Sequence, residues 1–281
     1  MIPFSPEFVE RGYDNRAACP DHPQWFAEWA RRSAAVLASV TVRRDLRYGQ
    51  GAKETLDLFL PPGPARGTFV FLHGGYWRAL DKADFAFVAA PFVERGIAVA
   101  NVNYDLCPDV TVGAIVGECE RAVAWIAREG ALHGADPRRI VVGGHSAGGH
   151  LAATMFCSDW RALGFASAPL HAGVTLSGVH DLTPLPLSSY NGDLKLDEAS
   201  ARALSPAFRP VTTVAPLLIA VGGAETAEFV RQARLLWELW PAHRPAGATS
   251  PLIVAGKHHF SVVADYADSD SDLTRATLAL F

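Results

Sequence analysis

Gly144-His145-Ser146-Ala147-Gly148 is the stretch that most restricts what this chain can fold into. An apolar run, Ile140-Val141-Val142-Gly143, leads straight into it, and a small-residue segment of helical character, 147–156, follows. A Gly-x-Ser-x-Gly turn between a strand and a helix holds its serine in a tight, strained bend at the strand end. Glycine is needed on both sides of the serine because neighbouring backbone comes close there. The bend lifts the hydroxyl above a sheet, at a helix start whose amides face a reacting carbonyl. Ser146 is therefore the candidate nucleophile.

The surrounding pattern agrees with a sheet of this kind. Residues 41–48 and 55–60 read as two strands around a Gln50-Gly51 turn, a hairpin. Apolar strands are expected at 68–72, 97–102, 140–144, 172–176, 217–221 and 251–254. Helical patterns lie between them at about 84–95, 113–129, 147–156 and 229–239. Such alternation means βαβ units and a mostly parallel sheet buried on both faces. Ahead of it, residues 23–37 carry Trp25, Phe26, Trp29 and Val36 at helical spacing. The expected fold is α/β, an α/β-hydrolase with a mostly parallel central sheet flanked by helices. A small cap would come from the N-terminal segment, about 6–40, and from insertions, with 181–210 either a cap or an ordinary long insertion. With 281 residues and no break in composition, one domain over 1–281 is expected.

The elbow needs partners. His73-Gly74-Gly75-Tyr76-Trp77 follows the strand at 68–72, where glycines let backbone amides point at a developing oxyanion. The amides of Gly74, Gly75 and Ala147 are the expected donors, and His73 is expected to orient the loop. In this fold the order is serine, acid, histidine. His258 and His259 both follow the last strand. His259 is the better base, because an aromatic or apolar residue often follows the base and Phe260 stands there. His258 is then a solvated neighbour. Glu225 lies in the loop after the strand at 217–221 and is the expected acid. Glu228 sits at a helix start, where a carboxylate is a common cap.

Other chemistries fit less well. No His-Glu-x-x-His and no ligand-spaced cluster is present, so no metal and no organic cofactor is implied. The glycines around the elbow lack the Gly-x-Gly-x-x-Gly spacing of a dinucleotide loop. A net charge of −4 gives no footprint for nucleic acid or an anionic membrane. No apolar stretch approaches the ~20 residues of a membrane helix. Four scattered cysteines and an N-terminus without a signal-peptide pattern suggest a reduced, cytoplasmic protein. The expected partner is a small-molecule substrate, with a homodimer left open.

Taken together, the chain resembles a kynurenine formamidase (arylformamidase) of the α/β-hydrolase superfamily. Tyr13-Asp14-Asn15-Arg16 with Pro20-Asp21-His22-Pro23 resembles that family's N-terminal signature. His73-Gly74-Gly75-Tyr76-Trp77, the elbow through Leu151, Ser177 to Leu182, Asn191 with 196–199, Glu225 to Phe229 with Arg231-Gln232, and His259-Phe260 resemble its other motifs. The chain departs from the family at Glu225, where better known members carry aspartate, and at Lys257-His258, where an acidic or amide residue is more usual. The resemblance implies hydrolysis of N-formyl-L-kynurenine, a step of tryptophan catabolism, through a formyl-enzyme. An aryl amine leaving group needs an aromatic wall, which Tyr76 and Trp77 would supply unless they merely pack beneath the loop. Arg78, Tyr190 and Asn191 are candidates for holding the substrate carboxylate. The rival readings are a broad carboxylesterase for short acyl esters and a non-catalytic binding protein of the same fold.

Overall fold

The structure, a computed structural model, describes residues 4–281. Three helices open the chain: α1 (Pro6–Tyr13), α2 (Asn15–Ala18) and α3 (His22–Ser39). Strands β1 (Val42–Arg47) and β2 (Thr55–Phe59) then form the expected antiparallel hairpin. Next come β3 (Thr68–Leu72), α4 (Ala89–Glu94), β4 (Ala98–Val102), α5 (Val112–His133), β5 (Ile140–His145) and α6 (Ala147–Met155). The second half holds β6 (Ala172–Leu176), α7 (Asn191–Leu194), α8 (Glu198–Leu204), β7 (Leu217–Gly222), α9 (Ala227–Leu239), β8 (Leu252–Val254), α10 (His259–Val263) and α11 (Asp272–Leu278).

The eight strands make one sheet in the order β1-β2-β4-β3-β5-β6-β7-β8. β2 is antiparallel to β4, and every pairing from β4 onward is parallel. This is an α/β-hydrolase sheet. Each buried strand splits its side chains between two cores. On β3, Phe69 and Phe71 face one side and Val70 and Leu72 the other. The Phe69 side packs against Phe92 and Tyr266, and the Val70 side against residues of α5, α6 and α9. Full burial of each such phenylalanine contributes about 1.5–3 kcal/mol.

One helix departs from the sequence reading. The stretch expected to be helical at 84–95 is a 3-10 turn, Lys82–Val88, followed by α4. Asp81 and Asp84 form a capping box that starts it, and Gly96, at φ 76°, ends the segment. The N-terminal helices are tied to α9 and α10. The Tyr13 hydroxyl donates to Glu228 Oε1 at 2.7 Å, and Thr226 Oγ1 donates to the Gly12 carbonyl at 2.7 Å. Trp29 and Phe26 of α3 pack on Phe260. Among the described residues no helix is long and apolar enough to cross a membrane, and all four cysteines are free and buried.

Candidate active site

Because β3, β5, β7 and β8 run parallel, the loops that leave them emerge along one edge of the sheet. That edge collects Gly74, Ser146, Glu225 and His259 although up to 185 positions separate them in the chain (259 minus 74). Ser146 sits at φ 58°, ψ −119°, a strained conformation for a residue with a side chain. Two bonds hold it there. Its amide donates to the Leu176 carbonyl at 2.9 Å, and its own carbonyl accepts from the His150 amide at 3.1 Å. The flanking glycines are sterically required. A Cβ on Gly148 would lie 1.9 Å from the Leu72 oxygen, and one on Gly144 would lie 2.2 Å from the Gly148 oxygen.

His259 lies between the serine and the acid. Its Nε2 is 3.0 Å from Ser146 Oγ, and its Nδ1 is 2.7 Å from Glu225 Oε2. A carboxylate only accepts, so Nδ1 carries the proton and Nε2 presents its lone pair to the hydroxyl. Glu225 is fixed in turn through Oε1, which accepts from the Gly222 amide at 2.8 Å and from Ser177 Oγ at 2.5 Å. The side chains of Glu225 and His259 are shielded from water, and Ser146 is 3% exposed. The structure thus brings together the three residues singled out by sequence.

The loop after β3 closes over the serine. A Cβ on Gly74 would lie 3.1 Å from Ser146 Cβ, so its backbone abuts the hydroxyl-bearing residue. Gly75 takes φ 113°, and Tyr76, Trp77 and Leu80 also take positive φ, at 50°, 55° and 72°. The amides of Gly74, Gly75 and Ala147 donate to no acceptor among the described residues. His73 braces this loop, as expected. Its ring stacks on Tyr104 at 4.2 Å, with Nδ1 2.7 Å from the Gly74 carbonyl and Nε2 3.2 Å from Asn103 Oδ1. Burial pushes its pKa down to about 4, so it stays neutral. His145 lies behind His259, its pKa held well below the usual range by burial and then by that neighbouring ring.

A cavity of about 350 Å³ opens above Ser146 and His259. Tyr76 and Tyr190 line it, their rings stacked at 4.2 Å. Trp77 and Asn191 do not. Trp77 is fully buried away from the cavity, edge-on to His150 at 5.0 Å, so packing is its role. Asn191 braces its own loop, accepting from the Leu196 amide at 2.8 Å and donating to the Leu196 carbonyl at 3.0 Å. Arg78 lines the cavity but is paired with Asp193 at 3.0 Å. Two further assignments change. His258 is not a solvated neighbour: it caps α10, taking the Phe260 amide at 3.2 Å, and its Nε2 lies 3.2 Å from Asp21 Oδ2. Glu228 takes no backbone amide as a cap would: Tyr13, Arg231 and Gln232 all donate to it instead.

The sequence places the N-terminal segment as a cap but does not say which of its residues face the site. Asp14, Asn15, Arg16, Phe26 and Trp29 all line the cavity. Asn15 is 3% exposed, and neither its Nδ2 nor its Oδ1 has a partner. Trp29 Nε1 is likewise buried without one. Buried polar atoms left unpaired each cost about 1–3 kcal/mol, so their gathering in one wall is a signal in itself. Among the described residues no three His, Cys, Asp or Glu side chains gather as a metal ion would require.

Comparisons with known proteins agree with this architecture. The family model BD-FAE matches residues 56–165. A kynurenine formamidase from Salmo salar is 30% identical over 263 residues, covering 90% of this chain and 84% of the relative. One from Danio rerio is 30% identical over 246 residues, covering 84% and 80%. A solved structure from Silicibacter sp. tm1040, assigned provisionally as a thioesterase, is 35% identical with a TM-score of 0.85, covering 96% of this chain and 98% of that one. The chain is a hydrolase, and it belongs to the kynurenine formamidase family of the α/β-hydrolase superfamily.

Proposed function

We propose that this protein hydrolyses the formamide of N-formyl-L-kynurenine, or a closely related aryl formamide, with Ser146, His259 and Glu225 as its triad. The observation that carries the reading is the unbroken line of contacts from Ser146 Oγ through His259 to Glu225 beneath an aromatic cavity. Ser146 Oγ attacks the formyl carbon while His259 Nε2 takes its proton. Glu225 holds the imidazole tautomer and stabilises the imidazolium. The Gly74, Gly75 and Ala147 amides receive the oxyanion, each such donor contributing about 2.7–4 kcal/mol in the transition state. The C–N bond then breaks. His259 gives its proton to the departing aryl amine and leaves a formyl ester on Ser146. Water, deprotonated by the same nitrogen, attacks that ester; formate leaves and the hydroxyl is restored. A formyl group asks for almost no acyl pocket, whereas the aryl amine needs the stacked Tyr76 and Tyr190.

The deciding assay compares N-formyl-L-kynurenine with phenyl acetate on purified protein, with Ser146→Ala as control. A kcat/KM for the formamide well above that for the ester is the expected result. Ester turnover with negligible deformylation would instead make the protein a general carboxylesterase.

A further inference from the structure

We infer that Asn15, with Arg16 and Asp14 beside it, forms the subsite for a zwitterionic α-amino acid head group at the far end of the substrate from the scissile bond. The inference rests on the formamidase reading and adds to it the residues that select the substrate. Three consecutive residues line the cavity, an acid, an amide and a base. An amino acid head group presents the complementary set, an ammonium and a carboxylate. Asn15 serves both, with Oδ1 as acceptor and Nδ2 as donor. Both atoms are buried and have no partner among the described residues. Protein folding ordinarily does not leave a side-chain amide in that state, whereas a ligand-binding wall does.

The cations of the cavity can be ranked. Arg78 is held by Asp193 at 3.0 Å and lies 5.7 Å over the Tyr190 ring. Arg16 makes no ion pair or hydrogen bond among the described residues, and its guanidinium lies 5.8 Å over the Phe26 ring. Arg16 is therefore the guanidinium with capacity for a carboxylate. Asp14 keeps its place by accepting the Ala17 amide through Oδ1 at 3.0 Å, which leaves its second oxygen for an ammonium. Trp29 Nε1, also unpartnered, adds a donor in the same wall. These are positioning and specificity residues; none touches the atoms that react.

The test measures kcat and KM on N-formyl-L-kynurenine and on ortho-formamidoacetophenone, which keeps the ring, ketone and formamide but lacks the amino acid. Asn15→Ala is expected to lower the ratio of the two kcat/KM values at least ten-fold, chiefly through KM for the amino acid substrate. Arg16→Gln, at an exposed position that tolerates change, is expected to shift the ratio the same way. Melting of ligand-free Asn15→Ala should not fall, since the wild-type amide has no partner to lose. An unchanged ratio in both variants, or a loss of melting temperature with equal loss on both substrates, overturns the inference. Wild-type protein that deformylates neither compound overturns the formamidase reading and this inference with it. Wild-type protein that deformylates both equally well overturns this inference alone.

Discussion

The ring of His145 donates from Nε2 to the backbone carbonyl of His259 at 2.9 Å, so the variable residue of the serine elbow anchors the loop that carries His259. The two rings lie 4.7 Å apart. The elbow and the loop of His259 follow strands distant in sequence, β5 and β8, and this bond fixes their separation. Replacing His145 with phenylalanine keeps a planar aromatic ring and removes the donor. A net hydrogen bond is worth about 0.5–1.5 kcal/mol, so kcat is expected to fall about 2- to 12-fold with KM little changed. Steady-state kinetics on the formamide would show it, and an unaltered kcat would mean the loop holds itself.

Ser146→Ala should remove turnover by a factor of at least about 10⁴ while leaving the fold intact. The strained φ is set by the surrounding backbone and not by the hydroxyl. Circular dichroism and melting should match the wild type. Near-full activity in the variant would unseat the nucleophile.

The two adjacent histidines should separate cleanly. His259→Ala should lower kcat by about 10³-fold or more, because the line from serine to acid is cut. His258→Ala loses a helix cap and a contact with Asp21, a stability cost of about 1 kcal/mol, and should keep kcat within a few-fold. Kinetics and thermal melts on the pair would distinguish these, and the reverse pattern would move the base by one residue.

Glu225 is held through one oxygen so that the other meets His259. Glu225→Gln should lower kcat by about 10⁴-fold, since an amide favours the wrong tautomer. Glu225→Asp keeps the charge but withdraws it by one methylene. A misplacement of that size costs on the order of 10²-fold. Ser177→Ala, which frees Glu225 Oε1 of one donor, should cost about ten-fold. The order Gln below Asp below Ser177→Ala is the check.

Acid should unfold this protein through its buried histidines. Burial drives the pKa of His73 and His150 down to about 4 and that of His180 to about 3, from an ordinary 6.5. The folded chain keeps these rings neutral while the unfolded chain protonates them. Their stabilisation is therefore complete above pH 6.5 and drains as pH falls toward 4 and 3. Glu118 works the other way: burial raises it from 4.5 to about 6, so its contribution is present below 4.5 and lost as pH rises through 6. Three histidine protons outweigh one carboxyl proton, so stability should decline on acidification across this window. Urea unfolding at several pH values measures it, and His180→Asn should flatten the slope.

Much of the site is legible in the sequence because its chemistry is local. The strand, the Gly-x-Ser-x-Gly turn and the small-residue helix are contiguous, and steric demands confined to a few residues fix the serine's strain and its need for glycine at 144 and 148. Chain order then puts a carboxylate after β7 and a histidine after β8, which is why Glu225 and His259 are recognisable from the sequence alone. What the sequence does not settle is which side chains face the cavity. Tyr76 and Trp77 are neighbours in the same unusual backbone region, yet one lines the cavity and the other packs on His150. Asn191 and His258 look available and are consumed by capping and loop bonds. Asn15 and Trp29 enter the cavity because Tyr13 reaches Glu228, 215 positions away, and Phe26 reaches Phe260. Contacts of that range depend on how helices pack against the finished sheet. Local steric rules and chain order therefore determine Ser146, Glu225 and His259, whereas long-range packing decides the walls around them.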